Sequence, residues 1–186
     1  SEDVTFLTNS KQISSSKKTT IKDKTNSYTL EKFIYFVNIE ELRGENIIID
    51  ANYNSPKNDK FYFSNAIINL KNQNFIAKDT KIEIHKNIFD NSDNDPRLIG
   101  VSSSKKDNIT TVNKSIFTSC KKTDGCPPWS IQANEIIHDQ NKKQIKYKNA
   151  FLKIYDVPVL YFPKFFHPDP TVERQTGLLK PEINQS

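Results

Sequence analysis

The chain is short of arginine, glycine, tryptophan and cysteine, and it has no long apolar run. Each shortage removes a class of function. Arg43, Arg97 and Arg174 are the only arginines, so lysine supplies nearly all of the cationic charge behind a net +5. There is no Arg-rich helix, no RNP-like aromatic motif and no zinc-finger spacing, so nucleic acid is not expected as a partner. A coding bias toward Lys, Asn and Ile accounts for the basic excess as well as an anionic partner does. With 4 glycines there is no phosphate-cradling loop, and neither a G-x-S-x-G elbow nor an H-E-x-x-H helix is present. No enzyme is expected.

The 2 cysteines, Cys120 and Cys126, are spaced C-x5-C. Zinc would need two further ligands, and His85, His138 and His167 lie far off in sequence, so neither metal nor cofactor is expected. The pair closes a short disulfide if the backbone brings the two Cα atoms within about 7 Å. That would suit an exported protein. Either sulfur has the alternative of pairing with a segment outside this chain. No apolar run reaches the roughly 18 residues of a membrane-spanning helix. The N-terminus carries no signal-peptide pattern, as expected of a chain that starts inside or after processing.

What remains is polar but not disordered. Hydrophobic residues make up 35%, yet 12 Phe and 7 Tyr are present, and disordered chains are poor in aromatics. Almost everywhere the apolar period is two. In "NIIIDANY", Ile47, Ile49, Ala51 and Tyr53 share one face. In "KFYFSNAIINL", Phe61 and Phe63 share a face, and Ala66, Ile68 and Leu70 continue it after a slip of one, as a bulge near Ser64-Asn65 would give. "KIEIHK" turns Ile82 and Ile84 inward. Turn formers separate these runs, and no helix is convincing. The pattern predicts an all-β protein of short antiparallel strands.

A repeat supports this. Residues 49–70, "IDANYNSPKNDKFYFSNAIINL", align with 131–154, "IQANEIIHDQNKKQIKYKNAFLKI". Ala51-Asn52 matches Ala133-Asn134, and Asn65-Ala66 matches Asn149-Ala150. Each unit reads as a strand, a polar turn and a bulged strand, which must stack or pack on others to bury its apolar face. The Ser/Lys-rich stretch 102–108 reads as a longer loop between sheets, and "IHDQ" (137–140) as a polar turn. In "HPDPTVER", His167, Asp169 and Glu173 lie close together, but X-Pro-X-Pro segments are rigid extended connectors with solvated charges.

From "SIFTSC" onward the sequence resembles a known family. "FTSC…PPWSIQANEIIHDQNKKQIKYKNAFLKIYDVPVLYFPKFFHPDPTVERQTGLLKP" is similar to the N-terminal periplasmic part of the LPS-assembly outer-membrane protein (LptD) family. The likeness is specific over roughly residues 115–181; Thr176 and Leu178 in "ERQTGLLKP" depart modestly from the family pattern. Upstream, "IIIDANY…FSNAIINL" looks like the generic repeat of lipopolysaccharide-transport β domains.

The resemblance implies an open, V-shaped antiparallel β-jelly roll of repeated hairpin units, whose apolar interior carries the acyl chains of lipopolysaccharide. The jelly roll is expected over 1–155, with a Pro-rich connector and the stub of a first barrel strand over 156–186. Groove candidates on the inward strand faces are Ile47, Ile49, Phe61, Phe63, Ile68, Ile82, Ile84, Trp129, Ile131, Ile145, Tyr147 and Leu152. Pro158, Pro163, Pro168 and Pro170 stiffen the connector, and Tyr161, Phe162, Phe165 and Phe166 suit a membrane interface. An edge strand at Val4, Phe6 and Leu7 is expected to dock a periplasmic bridge protein of the same β fold by strand addition. The implied location is the periplasmic side of the outer membrane, with a lipoprotein plug reached through the missing barrel. Family members link a Cys at the Cys120 position to the barrel. A sugar-binding jelly roll of an exported protein and a purely structural envelope module are the alternatives; the single Trp129 counts against the former.

Overall fold

The computed structural model describes residues 4–85, 95–122, 127–168 and 172. Among these residues are 13 strands in one antiparallel sheet and a single 3-10 turn at Val37–Ile39. The strands are β1 (Thr5–Leu7), β2 (Gln12–Ser15), β3 (Thr19–Lys22), β4 (Asn26–Leu30), β5 (Lys32–Phe36), β6 (Glu41–Ala51) and β7 (Asp59–Asn69). Then come β8 (Phe75–Glu83), β9 (Arg97–Lys106), β10 (Ile109–Thr118), β11 (Trp129–Asp139), β12 (Gln144–Ile154) and β13 (Val157–Pro168). From β6 onward each strand pairs with the next as an up-and-down meander, and β1 does not pair with β13, so the sheet stays open. Tight turns pass through left-handed residues that are not glycine, among them Asn52, Gln73, Asp107 and Lys143.

The long strands are bent at a common level. In β6 the inward positions are Leu42 and Gly44, then Ile47 and Ile49; in β7 they are Phe61 and Phe63, then Ala66 and Ile68. The alternation slips by one between Gly44 and Ile47 and between Phe63 and Ala66. The same slip falls between Ala77 and Thr80, Gly100 and Ser103, Val112 and Ser115, Ala133 and Ile136, and Tyr147 and Ala150. Asn46, Asp79, Lys114 and Asn149, on every second strand, sit at this level with φ between 46° and 49°. A residue in the left-handed region breaks the period of two, and the neighbouring strand must match the break. The slip expected near Ser64-Asn65 is therefore real, but it is no bulge: the β6–β7 and β7–β8 registers run through it unshifted. It is one segment of a crease that crosses the sheet.

The crease divides the sheet into two facing arms. The first arm holds the half-strands with Ile49, Phe61, Ile82, Leu98 and Phe117, and β4 with β3 extends it through the β4–β6 pairing. The second arm holds Leu42, Ile68, Phe75, Lys105 and Thr110, and β5, β2 and β1 extend it. At the β4–β8 end the arms close on Tyr28, Leu30, Phe33, Leu42, Ile47, Phe63, Ile68 and Phe75. Burial of each large side chain there contributes about 1.5–3 kcal/mol. Small residues let the arms meet at the crease. A Cβ on Gly100 would run into Val112 Cγ1 and come within 3.0 Å of the Asn113 carbonyl oxygen.

Three expectations need correction. The loop expected at 102–108 is strand β9 as far as Lys106, followed by a tight turn. Ser103 and Thr80, fully buried, share a 2.6 Å hydrogen bond across β8–β9, so a Ser-rich stretch serves the crease where larger side chains would not fit. The irregular connector expected from 156 is instead, over Val157–Pro168, a 12-residue strand paired with β12. Pro158, Pro163 and Pro168 are tolerated because β13 is an edge strand, where a missing N–H leaves no central ladder broken. Pro170 lies outside the described residues. Finally, Ala51 ends β6 whereas Ala133 lies inside β11, so the repeat holds at Asn65-Ala66 and Asn149-Ala150, both on the crease, and not at its other anchor. Among the described residues no helix is long and apolar enough to cross a membrane.

Candidate functional site

Between the arms lies a cavity of about 460 Å³. The first arm contributes Ile49, Phe61, Ile82, Ile84, Leu98 and Phe117, and the second Ile68, Phe75, Val112, Ile136, Ile145 and Tyr147. Polar residues enter only at the strand tips, among them Asn26, Asp59, Gln73, Lys105, Thr110 and His138.

Each end of the cavity is fixed by a buried tyrosine. At the β4 end the Tyr28 hydroxyl lies 3.0 Å from Asp23 Oδ2 and 3.1 Å from Gln73 Oε1, and accepts a hydrogen bond from Asn26 Nδ2 at 3.2 Å. Gln73 belongs to the turn of the opposite arm, so this contact ties the two tips together. Burial, with the Asp23 charge nearby, pushes the Tyr28 hydroxyl up to about 12. At the far end Phe165 of β13 stacks on Tyr147 with centroids 4.4 Å apart and planes 5° apart. The His167 Nδ1 lies 2.7 Å from the Pro168 carbonyl, which only accepts, so Nδ1 carries the hydrogen. Nε2 is then free to accept from the Tyr147 hydroxyl at 3.0 Å. Burial raises the Tyr147 pKa, which keeps that hydroxyl a donor.

Seven groove candidates line the cavity: Ile49, Phe61, Ile68, Ile82, Ile84, Ile145 and Tyr147. Ile47 and Phe63 do not. They are 1% and 3% exposed and belong to the closed core, because the slip at the crease turns them into the narrow angle of the V. Trp129, Ile131 and Leu152 lie beyond the cavity. Ile131 packs on the Ala133–Ile136–Tyr147–Ala150 cluster and pairs with Leu152, and the Trp129 ring centroid is 6.0 Å from that of Phe117.

Sequence reasoning missed Phe75, Leu98, Val112, Phe117 and Ile136 as lining residues. Val112 and Phe117 lie in a run read as strand-like, but the left-handed Lys114 puts them out of step. "FIA" before Lys78 alternates correctly and would have yielded Phe75 had β8 been begun there. His138, read as part of a turn, is inside β11 and lines the cavity.

Val4, Phe6 and Leu7 are 44%, 56% and 51% exposed, and β1 pairs only with β2, so it forms an edge of the second arm. Cys120 is half-buried with Sγ 3.6 Å from the Trp129 carbonyl, while Cys126, Asp169 and Glu173 lie outside the described residues. Among the described residues no three His, Cys, Asp or Glu side chains come together to hold a metal.

No family model matches the chain. Curated relatives do. An LPS-assembly protein LptD from Xanthomonas oryzae pv. oryzae is 40% identical over 78 residues, 42% of this chain and 9% of the relative. One from Hahella chejuensis is 32% identical over 121 residues, 65% of this chain and 14% of the relative. This chain is similar to a segment of LptD. A third LptD, from Aeromonas hydrophila, is 38% identical over 82 residues. The chain thus spans about a tenth of the length of the LptD proteins it matches. The resemblance to LptD read from the sequence is borne out by these matches, and the open all-β sheet agrees with the jelly roll it implied.

Proposed function

We propose that the chain serves lipopolysaccharide assembly at the outer membrane, on its periplasmic side, by sheltering lipid A acyl chains between the two arms and passing them toward a membrane barrel. The observation that carries this reading is the cavity itself: apolar on both walls and flanked by a sheet that never closes. An acyl chain crossing water gains about 0.8 kcal/mol for each CH₂ kept dry. Similarity to LptD supports the same role. The function is transport and binding rather than catalysis.

The β1 edge, with Val4, Phe6 and Leu7, takes a strand of a bridge protein of the same fold, and a lipoprotein plug is met through the barrel. Trp129 is half-buried near Phe117 rather than standing as an open platform, which speaks against sugar binding.

The test is photo-crosslinking to lipopolysaccharide from a probe residue at Phe61 and at Ile82, with Lys60 as the control because its ammonium pairs with Asp50 at 3.2 Å on the outer face. Adducts at both cavity positions and none at Lys60 are expected. A folded protein with no adduct at either cavity position would falsify the reading.

A further inference from the structure

Among the polar residues at the strand tips of the cavity, Lys105, Thr110 and His138 stand together in one transverse row of the second arm. At the tips of the second arm, Phe75, Lys105, Thr110, His138 and Ile145 are paired in succession across β8 to β12, and all of them line the cavity. Lys105 is the one lysine or arginine among the lining residues. It is half-buried, on the same side of β9 as the buried Ser103.

Several lysines on the outer faces have carboxylate partners, among them Lys32 with Glu45, Lys60 with Asp50, Lys81 with Glu83 and Lys146 with Asp139. Among the described residues no carboxylate lies in ion-pair contact with Lys105. Asp59, the carboxylate that lines the cavity, is on the first arm and engages His85 at 2.9 Å. An ammonium turned toward an apolar wall loses part of its hydration and recovers that loss from an anion brought to it. The hydroxyl of Thr110, directly across the β9–β10 ladder, is a second donor at cross-strand distance.

We propose that Lys105, with Thr110 beside it, is the anion-binding end of the groove. It takes a phosphate of an acylated amphiphile whose chains lie along Phe75 and Ile68 and against Phe61 and Ile82 of the facing arm. This assignment rests on the lipid-groove reading above and adds an orientation to it: the headgroup sits at the tip of the second arm beside β9 and β10, and the chains run across the strands, along the groove, toward β7.

The experiment is calorimetric titration of the 186-residue chain in detergent with three probes. These are lipid A bearing both phosphates, the same lipid stripped of phosphate, and inorganic phosphate. Lys105→Gln weakens binding of the phosphorylated lipid about tenfold, equivalent to about 1.4 kcal/mol. It leaves the stripped lipid unchanged, and Lys105→Arg restores binding. Thr110→Val gives a smaller loss, about threefold, with the same selectivity, and serves if the Gln variant fails to fold. Lys60→Gln changes nothing.

Equal affinity of Lys105→Gln for both lipids relative to wild type, or an equal loss for both, overturns the anion site and leaves the groove reading standing. Failure of wild type to bind either lipid overturns both. Tight binding of inorganic phosphate that disappears in Lys105→Gln, with no preference between the lipids, overturns the headgroup assignment.

Discussion

At the β4–β8 end of the sheet, Tyr28, Leu30, Leu42, Ile47 and Ile68 are all but completely buried between the arms. Across β9 to β12 the same crease is lined by Gly100, Ser103, Ser115, Ala133 and Ala150, and the cavity, whose walls also reach Ile49, Phe61 and Phe75 of the earlier strands, remains open. Strands β6 to β8 and β9 to β12 have similar lengths, the same slip in alternation and continuous register. Backbone geometry therefore sets the bend, and side-chain volume decides whether the space inside it is filled. The closed end also gains β3 and β4 on one arm and β1, β2 and β5 on the other, which carry Tyr28, Leu30 and Phe33 into the gap.

Truncation should separate the two ends most sharply. Leu42→Ala is expected to destabilise the fold by about 3 kcal/mol, whereas Leu98→Ala, on a wall already facing space, should lose about 1 kcal/mol. Urea midpoints measure both, and equal losses would break the comparison. The crease comes next. Gly100→Ala should cost about 2 kcal/mol, because Val112 and the Asn113 carbonyl leave no room for a methyl group. A wild-type midpoint for this variant would mean that the arms are not held so close.

The smallest effect belongs to the outer face, away from both ends. Burial alone would raise the Glu83 carboxyl, but Lys122 at 2.9 Å and Lys81 at 2.7 Å hold it down at about 2. A carboxyl lowered in the folded state stabilises fully above its ordinary value of 4.5 and loses that contribution as pH falls toward 2. The free energy of unfolding followed from pH 6 to pH 2 should fall less steeply in Glu83→Gln, by on the order of 1 kcal/mol after solvent screening. Superimposable slopes would show the cluster to be energetically silent.

The all-β class and most wall residues of the first arm were legible, because Ile49, Phe61, Ile82 and Ile84 sit at alternating positions of their runs. The split between wall and core was not. Phe61 and Phe63 look equivalent in a strand of period two, and only the position of the crease makes one a wall and the other filler. That position is marked by single left-handed residues such as Lys114, a type with no particular liking for that conformation. The Ser-rich part of β9 and the prolines of β13 misled for one shared reason: residue types common in loops also serve creases and sheet edges. The Lys105 row was hidden because it exists only across strands, and no stretch of sequence holds two of its members side by side.

The crease also makes the protein a gauge. From crease to tip an arm of β6 or β7 spans about five residues, or roughly 17 Å at strand rise. Lengthening one strand by a single residue would turn every side chain beyond it to the opposite face. Depth can therefore change only by two residues at a time, roughly 7 Å, and only if every paired neighbour changes with it. The length of chain that the interior can shelter is set in coarse, collective steps, and point substitution can widen the space or narrow it but cannot deepen it.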